Sequence, residues 1–168
     1  MLSIQNQQKR LPHLSRSLRR RAKKVLEELA LDEVMVSVTL CDDPSIQALN
    51  SEWRGKDTPT DVLSFPQDDF EPAEVFRDGK FDVDKAFQFP GMPKMLGDII
   101  ISVDTTIRQA EEYQHTPLDE ATRLYIHGLL HLCGFDHIEP EDAAEMLQEE
   151  ERLLKLFPSR KITPLVSF

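Results

Sequence analysis

Three of the five histidines in this chain fall within the eleven residues His127-Gly128-Leu129-Leu130-His131-Leu132-Cys133-Gly134-Phe135-Asp136-His137, and their spacing restricts what the segment can become. Residues four apart share one face of a helix, so a helix through this stretch aligns His127 with His131. Gly134 suits a left-handed turn that ends the helix. The chain can then fold back and bring His137 to the same point. Three neutral imidazoles converging there make a metal site with one position left open, as in catalytic zinc centres. Uncharged ligands leave the ion its full +2 charge, which acidifies a bound water toward neutrality. Imidazole also suits nickel, copper and iron, so the expected cofactor is one zinc or a similar divalent transition metal.

The alternative is a closed, structural site. That needs a fourth protein ligand, for which Cys133, His115 and His13 are the candidates. Cys133 lies two residues beyond His131, about 200° around the helix, and reads instead as a small buried apolar residue. Asp136 has several readings: a hydrogen bond to a ligand imidazole, a weak base, or a cap for the turn. The spacing H-x3-H-x2-G-x2-H is that of the metzincin proteases, except that Gly128 stands where a protease carries its general-base Glu. Losing that base costs on the order of 10²–10⁴ in rate, which argues against a metzincin-like zinc hydrolase.

Periodicity and caps place the other elements. Residues 2–5 read as a short strand. Ser15 is positioned to cap a helix over about 15–30, with Leu18, Ala22, Val25, Leu26 and Leu29 as its apolar stripe. The β-branched run 34–40 suggests a buried strand. Asp42-Asp43-Pro44 opens a helix carrying Ile46, Leu49 and Trp53 to about Gly55. Strands are expected at 61–66 and 97–103, and helices at about 104–114, 117–133 and 140–156. Thr116 caps the middle one of these, and its apolar second half implies burial of His127 and His131. The sum is an α+β fold, a single domain over 1–168, with a small mixed sheet flanked by helices and the metal site at the end of a buried helix. Residues 67–94 hold five phenylalanines and seven acids with little periodicity. They read as a long loop or insertion, either a lid at the rim of the site or an ordered hairpin whose phenylalanines pack on the core.

Apolar and charged contents of 40% and 30% are those of an ordinary globular protein. No apolar run approaches the ~20 residues that cross a bilayer. The polar residues between Leu2 and Leu14 exclude a secretory signal, and the strand reading of 2–5 disfavours an organellar transit peptide. Cys41 and Cys133 do not form a disulfide framework, so a reducing, cytoplasmic setting is expected. The net charge of −10 is unevenly spread. Lys9, Arg10, Arg16, Arg19, Arg20, Arg21, Lys23 and Lys24 precede any acid, leaving 12 basic against 30 acidic residues beyond them. This start is either a polyanion-facing segment or a helix face that interacts with the acidic remainder.

Arg54 and Lys56 are expected at the mouth of the turn between a helix and the strand at 61–66. Arginine there can hold a phosphate bidentately and stabilise developing charge, or simply interact with the helix C-terminus. Three blocks now carry a resemblance: Trp53-Arg54-Gly55-Lys56 with Thr60-Asp61-Val62-Leu63-Ser64-Phe65-Pro66, then Leu96-Gly97-Asp98-Ile99, then the histidine motif. Their order and spacing resemble the YbeY family of rRNA maturation factors over nearly the whole chain. The resemblance implies a zinc-dependent, single-strand-specific endoribonuclease acting in 16S rRNA 3′-end maturation and ribosome quality control. It maps the zinc ligands onto His127, His131 and His137 and the functional arginine onto Arg54, with Arg54 and His127 expected to be required for catalysis. It implies single-stranded RNA and the 16S rRNA precursor as substrate, and the small ribosomal subunit and its proteins as partners. A non-catalytic, zinc-containing ribosome-assembly factor is the alternative. The 67–94 segment is longer than in many members.

Overall fold

The computed structural model describes residues 1–158. Residues 159–168 of the domain span read from the sequence lie outside the described residues. In chain order the elements are β1 (Leu2–Asn6), α1 (Leu14–Glu28), β2 (Met35–Cys41), α2 (Asp43–Arg54), β3 (Val62–Pro66), α3 (Pro72–Val75), β4 (Phe76–Arg77), β5 (Lys80–Phe81), α4 (Val83–Ala86), β6 (Met95–Ser102), α5 (Val103–Glu112), α6 (Pro117–Leu132) and α7 (Pro140–Leu154).

The main sheet runs β1-β2-β6-β3. β1, β2 and β6 are parallel, and β3 is antiparallel at one edge, so the sheet is mixed as expected. Successive strand residues point to opposite faces, and the two faces bury different sets. Val36, Val38 and Leu40 of β2, Ile99 and Ile101 of β6, and Val62 of β3 join the main core with α1 and α6. Cys41, Leu63 and Ile46 form a second, smaller cluster beneath α2, with Leu49, Phe65 and Ile100 packed against it.

α6 is central. All of its residues except Pro117, Leu118 and His131 are buried. Its start is fixed by a reciprocal capping box: the Thr116 hydroxyl accepts from Asp119 N–H and the Asp119 carboxylate accepts from Thr116 N–H. α7 is laid along it, burying Ala143, Met146, Glu150, Leu153 and Leu154.

Several boundaries differ from the expectation. α1 begins at Leu14, with His13 rather than Ser15 at the cap position and no side-chain cap. Leu14 N–H already bonds Leu11 O at 3.1 Å, so the turn starts before Ser15. The same helix stops at Glu28 because Ala30 turns left-handed (φ 60°) and Leu31 N–H returns to Leu26 O. β6 ends at Ser102, whose hydroxyl caps α5 by accepting from Thr105 N–H.

Residues 67–94 carry four short elements, α3, β4, β5 and α4, joined by turns. β4 and β5 form a hairpin through Asp78-Gly79, both at positive φ (51° and 73°), the geometry of a tight two-residue turn. Val75 and Phe81 are buried, and Phe70, Phe76 and Phe87 pack against the main core. Arg152 ties the hairpin down, donating to Gly79 O at 2.8 Å and pairing with Glu28 at 2.6 Å. Phe89 alone of the five phenylalanines stays largely exposed.

The basic start is partly consumed inside the molecule. Arg10 pairs with Asp104, and Arg21 pairs with Asp119 at the beginning of α6, the end away from His131. Arg19 donates to Leu2 O, and both Arg21 and Lys24 lie over the Phe157 ring. Arg16, Arg20 and Lys23 remain exposed.

Candidate metal centre

The histidines are brought together by the way α6 packs and the way it ends. Gly128 lies where α6 crosses the sheet. A β-carbon there would stand 2.9 Å from Ile99 Cγ2 and 3.0 Å from Ser64 Oγ. The position that carries a protease's Glu is therefore a close-approach point where a side chain would force Ile99 or Ser64 to move. The helix ends at Gly134 (φ 98°), with Phe135 N–H returning to Leu130 O. A β-carbon at Gly134 would lie 2.0 Å from Phe70 O, so the insertion backbone covers this turn directly. Beyond it the chain reverses and presents His137.

The ligand nitrogens of His127, His131 and His137 all lie within 4.8 Å of one another. His131 Nδ1 is 2.8 Å from Phe135 O, which can only accept, so Nδ1 carries the proton and Nε2 the lone pair. His127 Nδ1 is 2.5 Å from Glu150 Oε1, which leaves its Nε2 as the lone-pair nitrogen in the same way. Those two Nε2 atoms are 3.0 Å apart. Two lone pairs at that distance repel unless a cation lies between them. Tetrahedral zinc with bonds of 2.0–2.1 Å spaces its ligand nitrogens about 3.3–3.4 Å apart, so the donor set fits a divalent ion. Burial, then the electrostatic influence of His127, push the His131 pKa down to about 4, against the hydrogen bond to Phe135 that raises it. His131 is therefore neutral, and able to ligate, at pH 7. His127 is buried, His131 partly so, and His137 exposed, so the centre opens to solvent on one side.

That opening is a cavity of about 430 Å³ whose lining includes the three histidines, Arg54, Asp61, Ser64 and Asp136. Arg54 ends α2, is exposed, and has no ion pair among the described residues. The cavity is lined by residues from outside 67–94, and that segment reaches the site only through the Phe70 backbone that covers the Gly134 turn. Asp136 caps its own turn, with Oδ1 accepting from Ile138 N–H at 3.0 Å. None of the candidate fourth ligands arrives. Cys133 is fully buried in the core, where burial raises its thiol pKa. His115 is enclosed with Glu120 at 2.5 Å, and His13 is exposed at the start of α1.

Glu150 is the site residue that the sequence reading missed. It is 1% exposed and lies on the apolar stripe Ala143, Met146, Glu150, Leu153 of α7. An acid in register with a buried stripe was the available signal.

Comparison with known proteins agrees with the geometry. The profile of the family described as Endoribonuclease YbeY matches residues 3–158. An endoribonuclease YbeY of Lysinibacillus sphaericus is 44% identical over 125 residues, 74% of this chain and 73% of the relative. One from Moorella thermoacetica is 42% identical over 157 residues, covering 90% of this chain and 94% of its own. A Thermotoga maritima protein whose structure was solved in solution matches with a TM-score of 0.59 and 26% identity, over 92% of this chain and 87% of that one. With the histidine motif, the fold and these relatives in agreement, the chain belongs to the YbeY family of endoribonucleases.

Proposed function

We propose that this chain is a zinc-dependent endoribonuclease that cleaves single-stranded RNA in 16S rRNA 3′-end maturation and ribosome quality control. It works in the cytoplasm as one hydrolase domain, with the small ribosomal subunit and its proteins as partners. The observation that carries this reading is the shared cavity: three imidazoles fit for a divalent ion, with an unpaired arginine at the same opening.

A divalent ion held by His127, His131 and His137 would supply Lewis acidity at a phosphoryl oxygen and an acidified water. Arg54 holds the phosphodiester with its planar fork of donors and offsets charge that builds on the phosphoryl oxygens. Glu150 and Phe135 O keep two rings in the tautomer that directs Nε2 into the cavity. Peptide hydrolysis is poorly served, because Gly128 leaves no general base and its place is filled by the sheet.

With a divalent ion held beside Arg54 to offset Asp61 and Asp136, charge also favours this cavity for RNA. A larger cavity of about 640 Å³ lies in the insertion, but Asp68, Asp69, Glu71 and Glu74 line it and repel a polyanion.

The test is metal content and cleavage of single-stranded rRNA precursor measured on the same preparation. His131→Ala should lose metal and activity together, and Arg54→Ala should lose activity with metal retained. Activity in metal-free His131→Ala protein would overturn the reading. Small-subunit binding that survives metal loss, with no cleavage by highly purified protein, would make the chain an assembly factor instead.

A further inference from the structure

Trp53 is 64% exposed and is the only tryptophan in the chain. Its ring is nevertheless held in place. It meets Phe65 edge-on, with centroids 5.8 Å apart and planes at 66°. Phe65 is itself packed on the second core cluster. The indole is thus anchored along one side and open to solvent elsewhere.

Its position relative to the histidine cavity follows from two pairs of neighbours. Trp53 directly precedes Arg54, and Phe65 directly follows Ser64, and both Arg54 and Ser64 line that cavity. Side chains alternate along a strand, so Ser64 faces α6 and Phe65 faces Trp53 on the other side of β3. β3 is the outer strand of the main sheet. The indole thus lies one residue before a cavity-lining arginine, around the β3 edge from the cavity.

We propose that Trp53 is a base-stacking subsite: one nucleobase of single-stranded RNA lies on its ring while a neighbouring phosphate is held at Arg54. This rests on the endoribonuclease reading and adds a source of strand selectivity to it. Bases in a duplex are stacked on one another and offer no free face, whereas unpaired bases stack readily on aromatic side chains. The other strongly exposed apolar side chains of the insertion, Phe89 and Met92, line the acid-bearing cavity and are poorly suited to this role.

The single tryptophan makes the subsite directly observable. Full-length, metal-loaded protein carrying Arg54→Lys, chosen to slow cleavage, is titrated with a 12-nucleotide oligouridylate and separately with an RNA duplex. Binding is followed in parallel by the anisotropy of labelled RNA. Saturable quenching of Trp53 emission by the single strand, and not by the duplex, supports the proposal. In an Arg54 background, Trp53→Ala should weaken single-strand binding about 5- to 100-fold, as expected for one lost base–aromatic stack, with the loss in KM rather than kcat. Trp53→Phe should recover most of it, and circular dichroism checks that both variants fold. Single strand that binds and is cleaved without changing Trp53 emission, with Trp53→Ala as tight as wild type, overturns the stacking subsite alone. Absence of RNA binding and cleavage in the wild type overturns the endoribonuclease reading, and the subsite with it.

Discussion

Glu150 Oε1 stands 2.5 Å from Nδ1 of His127, joining α7 to the metal centre through a carboxylate that solvent barely reaches. Such a partner fixes the ring's tautomer and raises its basicity, and its loss typically weakens metal affinity 10- to 100-fold. Glu150→Ala should show a loss in that range by competition with a chromogenic zinc chelator. Glu150→Gln keeps an acceptor oxygen and should lose less. Unchanged affinity in both would remove Glu150 from the centre.

Arg54 lines the same cavity but, among the described residues, makes no hydrogen bond or ion pair with the ligand rings. Arg54→Ala should leave zinc content at the wild-type value and lower kcat for RNA cleavage by about 10²–10³. Arg54→Lys should recover only part, since an ammonium cannot hold a phosphate bidentately. Atomic absorption beside single-turnover kinetics separates the two effects.

His131 makes the metal-free protein sensitive to acid. Its folded pKa is about 4, held down by burial first and the electrostatic influence of His127 second, while an unfolded imidazole titrates near 6.5. Between those values the unfolded chain binds the proton and the folded chain does not. Stability contributed by this ring is therefore intact above about pH 6.5, falls as pH drops toward about 4, and levels off below. At 1.36 kcal/mol per pH unit the ceiling is about 3 kcal/mol, reduced by the ring's partial exposure. Urea midpoints at pH 7 and pH 4.5 in EDTA should show the decline in wild type and a shallower one in His131→Ala.

At Gly134 the left-handed backbone and the nearness of Phe70 O act together. Gly134→Ala should destabilise the fold by about 2–4 kcal/mol through strain and overpacking. It should also lower metal affinity, because His137 is placed by this turn. Urea denaturation and metal content on one preparation check both parts.

The three-histidine cluster was legible because it is local: helix period and a glycine stop decide it within eleven residues. The helix around 117–133 was legible for the same reason, from its Thr116 cap and apolar second half. Glu150 was not, since it reaches His127 across 23 positions from a separate helix. The 67–94 segment carried two readings because its phenylalanines pack on one another and on Phe135, contacts that follow no helix or strand period. Phe76 packs on Phe135, and Phe70 on both Phe81 and Phe87. Only the Asp78-Gly79 turn was a local clue. The N-terminal arginines had two readings because the acids that absorb Arg10 and Arg21, Asp104 and Asp119, lie almost a hundred residues away.

The burial of Cys133 has a consequence for how long such a centre survives damage. The chain has two cysteines, and both are buried away from the ligand nitrogens, with their thiols held in the protonated form. Peroxide attacks thiolate, and centres ligated by sulfur eject their metal when it does. A donor set of three imidazoles has no such point of attack, so an ion held there would survive oxidants that empty cysteine-held zinc.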